Sequence, residues 1–509
     1  MPGPTAAPAI VLSSVDTRDW ASPGVARIVA DGIPAAKQGG IVLLHDGGGD
    51  RSQTVAALPT LIRDLQARGA QLTTVSQAVG LADSQAPATT GQRVAGTALV
   101  TVVQVSEWVV WLLSVLLVLF LVLGLLRALL LVAFARRHVR RDRTTADDET
   151  WRPQVSVVVP AYMEAAGIAG TVRSLVATGY PGLEIVVVDD GSTDGTADVV
   201  ASLGLEDVVV LRQANAGKPA ALNAGIRAAR HDVLVLVDAD TVFEPDALRR
   251  LVAPLADPEV GAVSGNTKVA NRSGLLGRWQ HLEYVVGFNL DRRMFDILDC
   301  IPTVPGAIGA FRRSALEDVG GVGDDTLAED TDLTMAVTRA GWRVAYEQSA
   351  VAWTEAPSTL RQLWKQRYRW AYGTLQSMWK HRHAVVERGR AGHLGRRGLP
   401  YLFLFQVLMP LLGPVVDIMA LYGLIFLDPR VVLGVALAFT AVQMSLGAYA
   451  LHLDGEPLRT VWWMPLQQFV YRQLMYLVVI QSVASAFAGA RVGWQPLQRH
   501  GSARVLLDR

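Results

Sequence analysis

Residues 108–126 contain no charged side chain; Arg127 interrupts, and apolar residues then continue to Ala135. A helix rising about 1.5 Å per residue over that length crosses the roughly 30 Å of bilayer hydrocarbon, so residues 108–135 predict a transmembrane helix. Arg136, Arg137, Arg140, Arg141 and Arg143 follow at once. Basic residues gather at the cytoplasmic end of a span, which puts the chain beyond residue 143 inside and residues 1–100 outside. The composition agrees: 18% of the 509 residues are charged, against about 25% in ordinary soluble domains. A net charge of +1 creates no field for nucleic acid, so a lipid bilayer is expected as a partner and nucleic acid is not. The single cysteine, Cys300, excludes an intramolecular disulfide and a cysteine-rich zinc site.

The chain turns apolar again over residues 399–488, with candidate spans at 399–427, 431–451 and 462–488. The first contains Pro410, Gly413, Pro414 and Asp417, so a kinked helix and two shorter pieces both fit, and the number of spans stays open. The third contains Arg472, which must face protein or a polar passage, or lie at the interface. Residues 489–509 form a basic tail. Residues 84–107, small and polar at their start, read as a linker.

Between the apolar ends, residues 150–357 alternate strand-like and helix-like segments. Continuous β-branched runs at 155–159, 185–188, 208–211 and 233–237 fit strands of a parallel sheet covered on both faces. The expected fold is a doubly wound α/β domain with transmembrane helices on both sides, preceded by a small α/β fragment. Ligands of such sheets sit at the carboxyl ends of the strands, and acids cluster there: Asp189-Asp190-Gly191-Ser192, Asp238-Ala239-Asp240 and, later, Glu329-Asp330-Thr331-Asp332. The Asp238-x-Asp240 spacing suits a hard divalent cation, Mg²⁺ or Mn²⁺, which takes one or two carboxylates and fills its shell with water and phosphate oxygens. A cation there would bridge a diphosphate, and Lys218 could add another positive charge.

Residues 153–381 resemble the processive branch of the family-2 inverting glycosyltransferases, which includes hyaluronan, chitin, cellulose and poly-N-acetylglucosamine synthases. The matching residues are Val159-Pro160-Ala161-Tyr162 with Glu164, Asp189-Asp190-Gly191-Ser192, Lys218, Asp238-Ala239-Asp240, Gly306-Ala307, Glu329-Asp330 and Gln366-Arg367-Tyr368-Arg369-Trp370. The resemblance implies a glycosyltransferase-A-type fold, a UDP-sugar donor and a growing polysaccharide acceptor. It implies that Tyr162, Glu164 and Asp190 hold the uridine, that Lys218 and Asp238 contact the donor, and that Asp240 binds the metal. Asp330 is the implied general base, and Glu329, Gln366, Arg369 and Trp370 serve the acceptor and diphosphate. Met163 departs from the pattern, since relatives usually carry Asn there. No obvious cyclic-dinucleotide-binding pattern is read after the transferase segment, so regulation of that kind is expected to need a partner.

Residues 358–385 carry apolar side chains at three- and four-residue spacing, interleaved with Arg361, Lys365, Arg367, Arg369 and Lys380. That pattern predicts an amphipathic helix at the membrane surface. Residues 1–83 resemble the C-terminal end of a polysaccharide deacetylase. The match rests on Asp16-Thr17-Arg18-Asp19-Trp20 and Ile41-Val42-Leu43-Leu44-His45-Asp46, around a helical pattern at 55–65 and a further strand-like run at 71–75. The deacetylase's catalytic Asp and paired metal-binding histidines are missing, since His45 is the first histidine in the chain, so deacetylase activity is not expected. The pairing points to an N-acetylated polymer. Poly-β-1,6-N-acetylglucosamine made from UDP-N-acetylglucosamine is the first expectation. A chitin-like β-1,4 or hyaluronan-type polymer and non-processive transfer to a lipid carrier are the alternatives. Accessory export or deacetylase proteins are possible partners.

Overall fold

The computed structural model describes residues 12–35, 39–78, 80, 87–142, 151–426 and 428–489. The chain divides into two compact units, Met1–Ser106 and Glu107–Arg509. In the first, β1 (Val15–Asp16) pairs in parallel with β2 (Val42–Leu43). Helices α1 (Val25–Asp31) and α2 (Ser52–Ala67) bury Ile28, Val29, Ala57 and Leu61. The apolar spacing of α2 is only half used: Leu61 and Leu65 join this small core, while Val55 and Leu58 are exposed. No strand forms at 71–75. Val75–Ala78 is a single helical turn, and the Thr74 hydroxyl accepts from the Gln77 amide at 3.3 Å, a local bond that competes with strand pairing.

The linker expected at 84–107 is instead mostly helix. Helix α3 spans Thr90–Asp142, well beyond residues 108–135 at both ends. Its start is a Thr-x-x-Gln capping box. Thr89 Oγ1 accepts from the Gln92 amide (3.3 Å) and Gln92 Oε1 from the Thr89 amide (2.9 Å). Past that cap the sequence has no proline to stop the helix before the apolar run. Arg143 and most of the basic tail lie outside the described residues.

In the second unit an eight-stranded sheet runs in the order β5-β4-β3-β6-β9-β8-β10-β7. The strands are β3 (Val155–Ala161), β4 (Leu183–Asp190), β5 (Val208–Gln213), β6 (Val233–Leu236), β7 (Thr241–Phe243), β8 (Val260–Val269), β9 (Gly309–Arg312) and β10 (Arg343–Thr354). The four runs read from sequence form the parallel half, β5-β4-β3-β6. The wholly parallel sheet needs correction, because β9 enters antiparallel between β6 and β8, and β7 caps β10 antiparallel. Three helices matter for the site: α5 (Lys218–Ala228), α6 (Glu329–Arg339) and α7 (Leu360–Lys380), while α4 (Ile168–Ala177) covers the sheet.

Beyond α7, helix α8 (Gly389–Phe426) carries two π-turns and Pro414, so it is one irregular helix, and α9 (Pro429–Leu453) follows. Among the described residues α3, α8 and α9 are long and apolar enough to cross a membrane. The segment 462–488 is broken at Val470 into Met464–Phe469 and α10 (Tyr471–Phe487), whose 17 residues fall short of the roughly 20 a span needs. Arg472 finds protein as required, donating to Asp417 of α8 at 2.8 Å.

Candidate active site

The parallel half of the sheet delivers its acids to one edge. β4 ends in Asp189-Asp190, and Gly191 then turns the chain with φ 76°. A side chain there would sit 2.8 Å from the Asn215 amide, so only glycine lets the neighbouring loop approach. Asp190, 3% exposed, uses that proximity. It accepts from the amides of Ala216 (2.9 Å) and Gly217 (2.8 Å) and from the Gln213 side chain (2.7 Å). Its carboxylate therefore shapes the loop that presents Lys218, a task the motif alone did not reveal.

Lys218 opens α5 and bridges two of the acidic clusters, with its Nζ 2.7 Å from Asp238 and 2.8 Å from Glu329. Burial alone would lower this ammonium's pKa, but the two carboxylates outweigh that effect and hold it above the usual lysine range. A Cβ on Gly306 would lie 2.8 Å from Nζ, so the backbone at this matched position packs directly on the ion pair. Asp330 lines an adjoining hollow with Lys218, Asp238 and Glu329. Burial, and then the negative charge of Glu329, push its carboxyl up to about 6, with Lys218 opposing.

A cleft of about 870 Å³, counting its open mouth, is lined by Tyr162, Glu164, Asp190, Lys218, Asp238, Asp240, Glu329 and Arg369, among others. Most of the residues expected at a donor site thus converge. Gln366 and Trp370 line neither hollow. Gln366 is buried and accepts a hydrogen bond from Arg367. Trp370 packs in an aromatic group with Tyr284 and Phe288, at ring-centroid distances of 6.4 and 6.0 Å.

Arg367 corrects the amphipathic pattern. It is 4% exposed rather than on a membrane-facing surface. Its guanidinium pairs with Glu283 at 2.5 Å, lies 4.3 Å from the centre of the Trp370 ring, and shares Glu283 with the Tyr471 hydroxyl of α10 (2.6 Å). A buried arginine needs such a partner, but Glu283 is too distant in sequence for spacing to have revealed it. Met163 occupies the left-handed region at φ 59°, where Asn is at home and a longer side chain is strained. Its amide donates to Ser192 Oγ at 3.0 Å, and its sulfur lies 3.5 Å from the Thr193 amide and hydroxyl.

The donor set tests a divalent cation favourably. The large cleft presents five carboxylates (Glu164, Asp190, Asp238, Asp240 and Glu329) against two cations, Lys218 and Arg369. A diphosphate entering so acidic a cleft needs a further positive charge, and carboxylate oxygens suit Mg²⁺ or Mn²⁺. Among the described residues no three acidic, His or Cys side chains cage a metal by themselves. A cation at Asp240 would therefore take its other ligands from water and phosphate.

Residues 153–373 match the family model described as glycosyltransferase like family 2. That segment is similar to the family-2 glycosyltransferases. Poly-beta-1,6-N-acetyl-D-glucosamine synthase of Staphylococcus aureus is 32% identical over 262 residues, 51% of this chain and 62% of that protein. The Staphylococcus epidermidis protein of the same name is 33% identical over 222 residues, 43% of this chain and 54% of that one. The chain thus spans less than two thirds of the curated relatives it matches. Among solved structures, mannosyltransferase PcManGT from Pyrobaculum calidifontis, in complex with GDP-Man and Mn²⁺, superposes with a TM-score of 0.52 at 24% identity. It covers 74% of this chain and 100% of its own, and it supports the glycosyltransferase-A-like fold of the mixed sheet.

In the first unit the two motif segments meet. Asp19, buried, accepts from the His45 amide (2.8 Å) and the Thr54 hydroxyl (2.8 Å), and its other oxygen lies 2.8 Å from His45 Nδ1. Although burial opposes it, these bonds hold the Asp19 carboxyl well below the usual range.

Proposed function

We propose that this chain is a membrane-bound, inverting, processive transferase. It polymerises N-acetylglucosamine from UDP-N-acetylglucosamine into an exported polysaccharide, poly-β-1,6-N-acetylglucosamine. The observation that carries the reading is the single cleft in which Lys218, Asp238, Asp240, Glu329 and Arg369 meet, with Asp330 in the adjoining hollow. The choice of sugar and linkage leans on the likeness to the staphylococcal synthases.

The chemistry follows from the residues. Asp330, ionised above about pH 6, takes the proton of the acceptor hydroxyl. That oxygen attacks the anomeric carbon from the face opposite the nucleotide, the bond to the diphosphate oxygen breaks, and UDP leaves. Lys218 and Arg369 stabilise the charge that builds on the diphosphate. Tyr162 and Glu164 line the nucleoside end, and Asp190 holds the loop before Lys218 in place. A divalent cation held by Asp240, with Asp238 beside it, would supply further counter-charge to the leaving group. The Tyr284–Phe288–Trp370 group and the Arg367–Glu283 pair brace the helix that carries Arg369. The membrane helices anchor the domain at the cytoplasmic face, and by the arginine bias after α3 the N-terminal unit lies outside. We read that unit as similar to the C-terminal end of a polysaccharide deacetylase.

The test is release of UDP by the purified chain with UDP-N-acetylglucosamine, UDP-glucose or UDP-glucuronate and Mg²⁺ or Mn²⁺. N-acetylglucosamine is the expected substrate, and Asp330→Asn abolishes release. Unchanged turnover in that variant would remove Asp330 from its role.

A further inference from the structure

Asp332 stands two residues after Asp330 on α6, and successive helical positions turn by about 100°, so the two carboxyls project from nearly opposite sides of one turn. Asp330 faces the hollow, whereas Asp332 is 3% exposed and faces α7. Its Oδ1 lies 2.9 Å from His381 Nε2, and its Oδ2 accepts from Lys380 Nζ at 2.8 Å. His381 Nδ1 lies 3.3 Å from the Arg339 guanidinium, which can only donate. Nδ1 is therefore the acceptor, and Nε2 is the nitrogen that donates to Asp332. Lys380 reaches on to Asp325 at 2.8 Å.

Two more contacts bind the same helices. Gln376 Oε1 accepts from the Leu327 amide at 3.0 Å. Gly373 lies so close to the chain before α6 that a Cβ would sit 2.5 Å from the Ala328 nitrogen. Lys380 is eleven residues beyond Arg369, about 16 Å along the helix axis. The lysine and histidine therefore touch neither donor nor acceptor, yet they grip the turn that carries the base.

We propose that Asp332, Lys380 and His381 are positioning residues of the transferase, which lock the base-bearing helix α6 to α7 and so fix the distance from Asp330 to Arg369. The proposal rests on the transferase reading above. Loosening the lock removes no cleft side chain but lets Asp330 shift relative to Arg369, so the acceptor hydroxyl and anomeric carbon drift out of reacting range. Rate then suffers while donor binding does not.

The experiment compares wild type with Asp332→Asn, His381→Ala, His381→Gln and Gly373→Ala in nanodiscs, measuring kcat, donor KM and thermal stability. Asp332→Asn and His381→Ala are expected to lower kcat roughly ten- to a hundredfold with donor KM changed less than about twofold. His381→Gln, whose amide nitrogen stands near the position of Nε2, recovers most of the rate. Gly373→Ala reproduces the loss by steric wedging, although alanine favours the helix itself. The proposal is overturned by wild-type kcat in Asp332→Asn. It is equally overturned if kcat falls only in step with thermal stability and glutamine does no better than alanine. Wild-type protein that releases no UDP from any donor would instead refute the transferase reading, so the two failures are distinct.

Discussion

The sharpest consequence of the acid cluster is a pH effect with a definite sign. Asp330 is held near 6 rather than at its ordinary 3.8, first by burial and then by the charge of Glu329. That rise of about two pH units is worth about 3 kcal/mol against the ionised form. Glu329→Gln removes one of the two leading causes. It also leaves Lys218, now paired only with Asp238, to act more strongly on Asp330, and both changes lower the carboxyl's pKa. The acid limb of kcat/KM, which reports the free enzyme, should therefore move from near pH 6 to about one unit lower, the equivalent of about 1.4 kcal/mol. Lys218→Met should move it upward, because Lys218 is the charge that opposes the rise. The assay is initial-rate UDP release between pH 4.5 and 8.5 at several donor concentrations. A limb that stays put in both variants, or moves up in Glu329→Gln, would refute the electrostatic account of Asp330.

Three further outcomes follow from the same geometry. The folded pKa of Asp330 lies above its unfolded value, so its ionisation costs stability above pH 6, a cost that vanishes below about 3.8. Asp330→Asn should accordingly be inactive yet melt higher than wild type at pH 8, with the difference closing toward pH 4. Equal melting at both pH values would contradict this. Chelation should stop UDP release and Mn²⁺ or Mg²⁺ restore it, whereas Asp240→Asn should need far more metal for half-activation; an unchanged metal titration would argue against Asp240 as a ligand. Met163→Asn should relieve about 1 kcal/mol of left-handed strain and raise the melting temperature while leaving donor KM near wild type. A lower melting temperature would mean the thioether's 3.5 Å contacts with Thr193 matter more than its backbone.

Much of this site is legible in the sequence because it is local. β-branched runs ending in acids identify β4 and β6 and the edge where Asp190, Asp238 and Asp240 emerge, and the helix opened by Lys218 follows a glycine. What escaped is what depends on long-range meetings. The pairing of Arg367 with Glu283 spans 84 residues, so α7 looked amphipathic where it is partly core. The work of Asp190 on the Lys218 loop, and the joint among Asp332, Lys380 and His381, lie in hydrogen bonds that no spacing encodes. The sheet's mixed half was hidden because β9 and β7 have only four and three residues, and because polar residues interrupt the longer β8 (Ser264 to Lys268) and β10 (Glu347 to Ser349), so neither shows a continuous apolar run. The long start of α3 was readable: Thr89 and Gln92 form a capping box, which the small residues around them masked.

The account stands on sugar polymerisation at one cation-assisted cleft. The most direct measurement is the size and linkage of product made from radiolabelled UDP-N-acetylglucosamine by the purified chain in nanodiscs with Mn²⁺. The account predicts long chains, degraded by a β-1,6-specific N-acetylglucosaminidase and absent with Asp330→Asn. Product limited to a single transferred sugar, or polymer that forms equally well in Asp330→Asn, would contradict it.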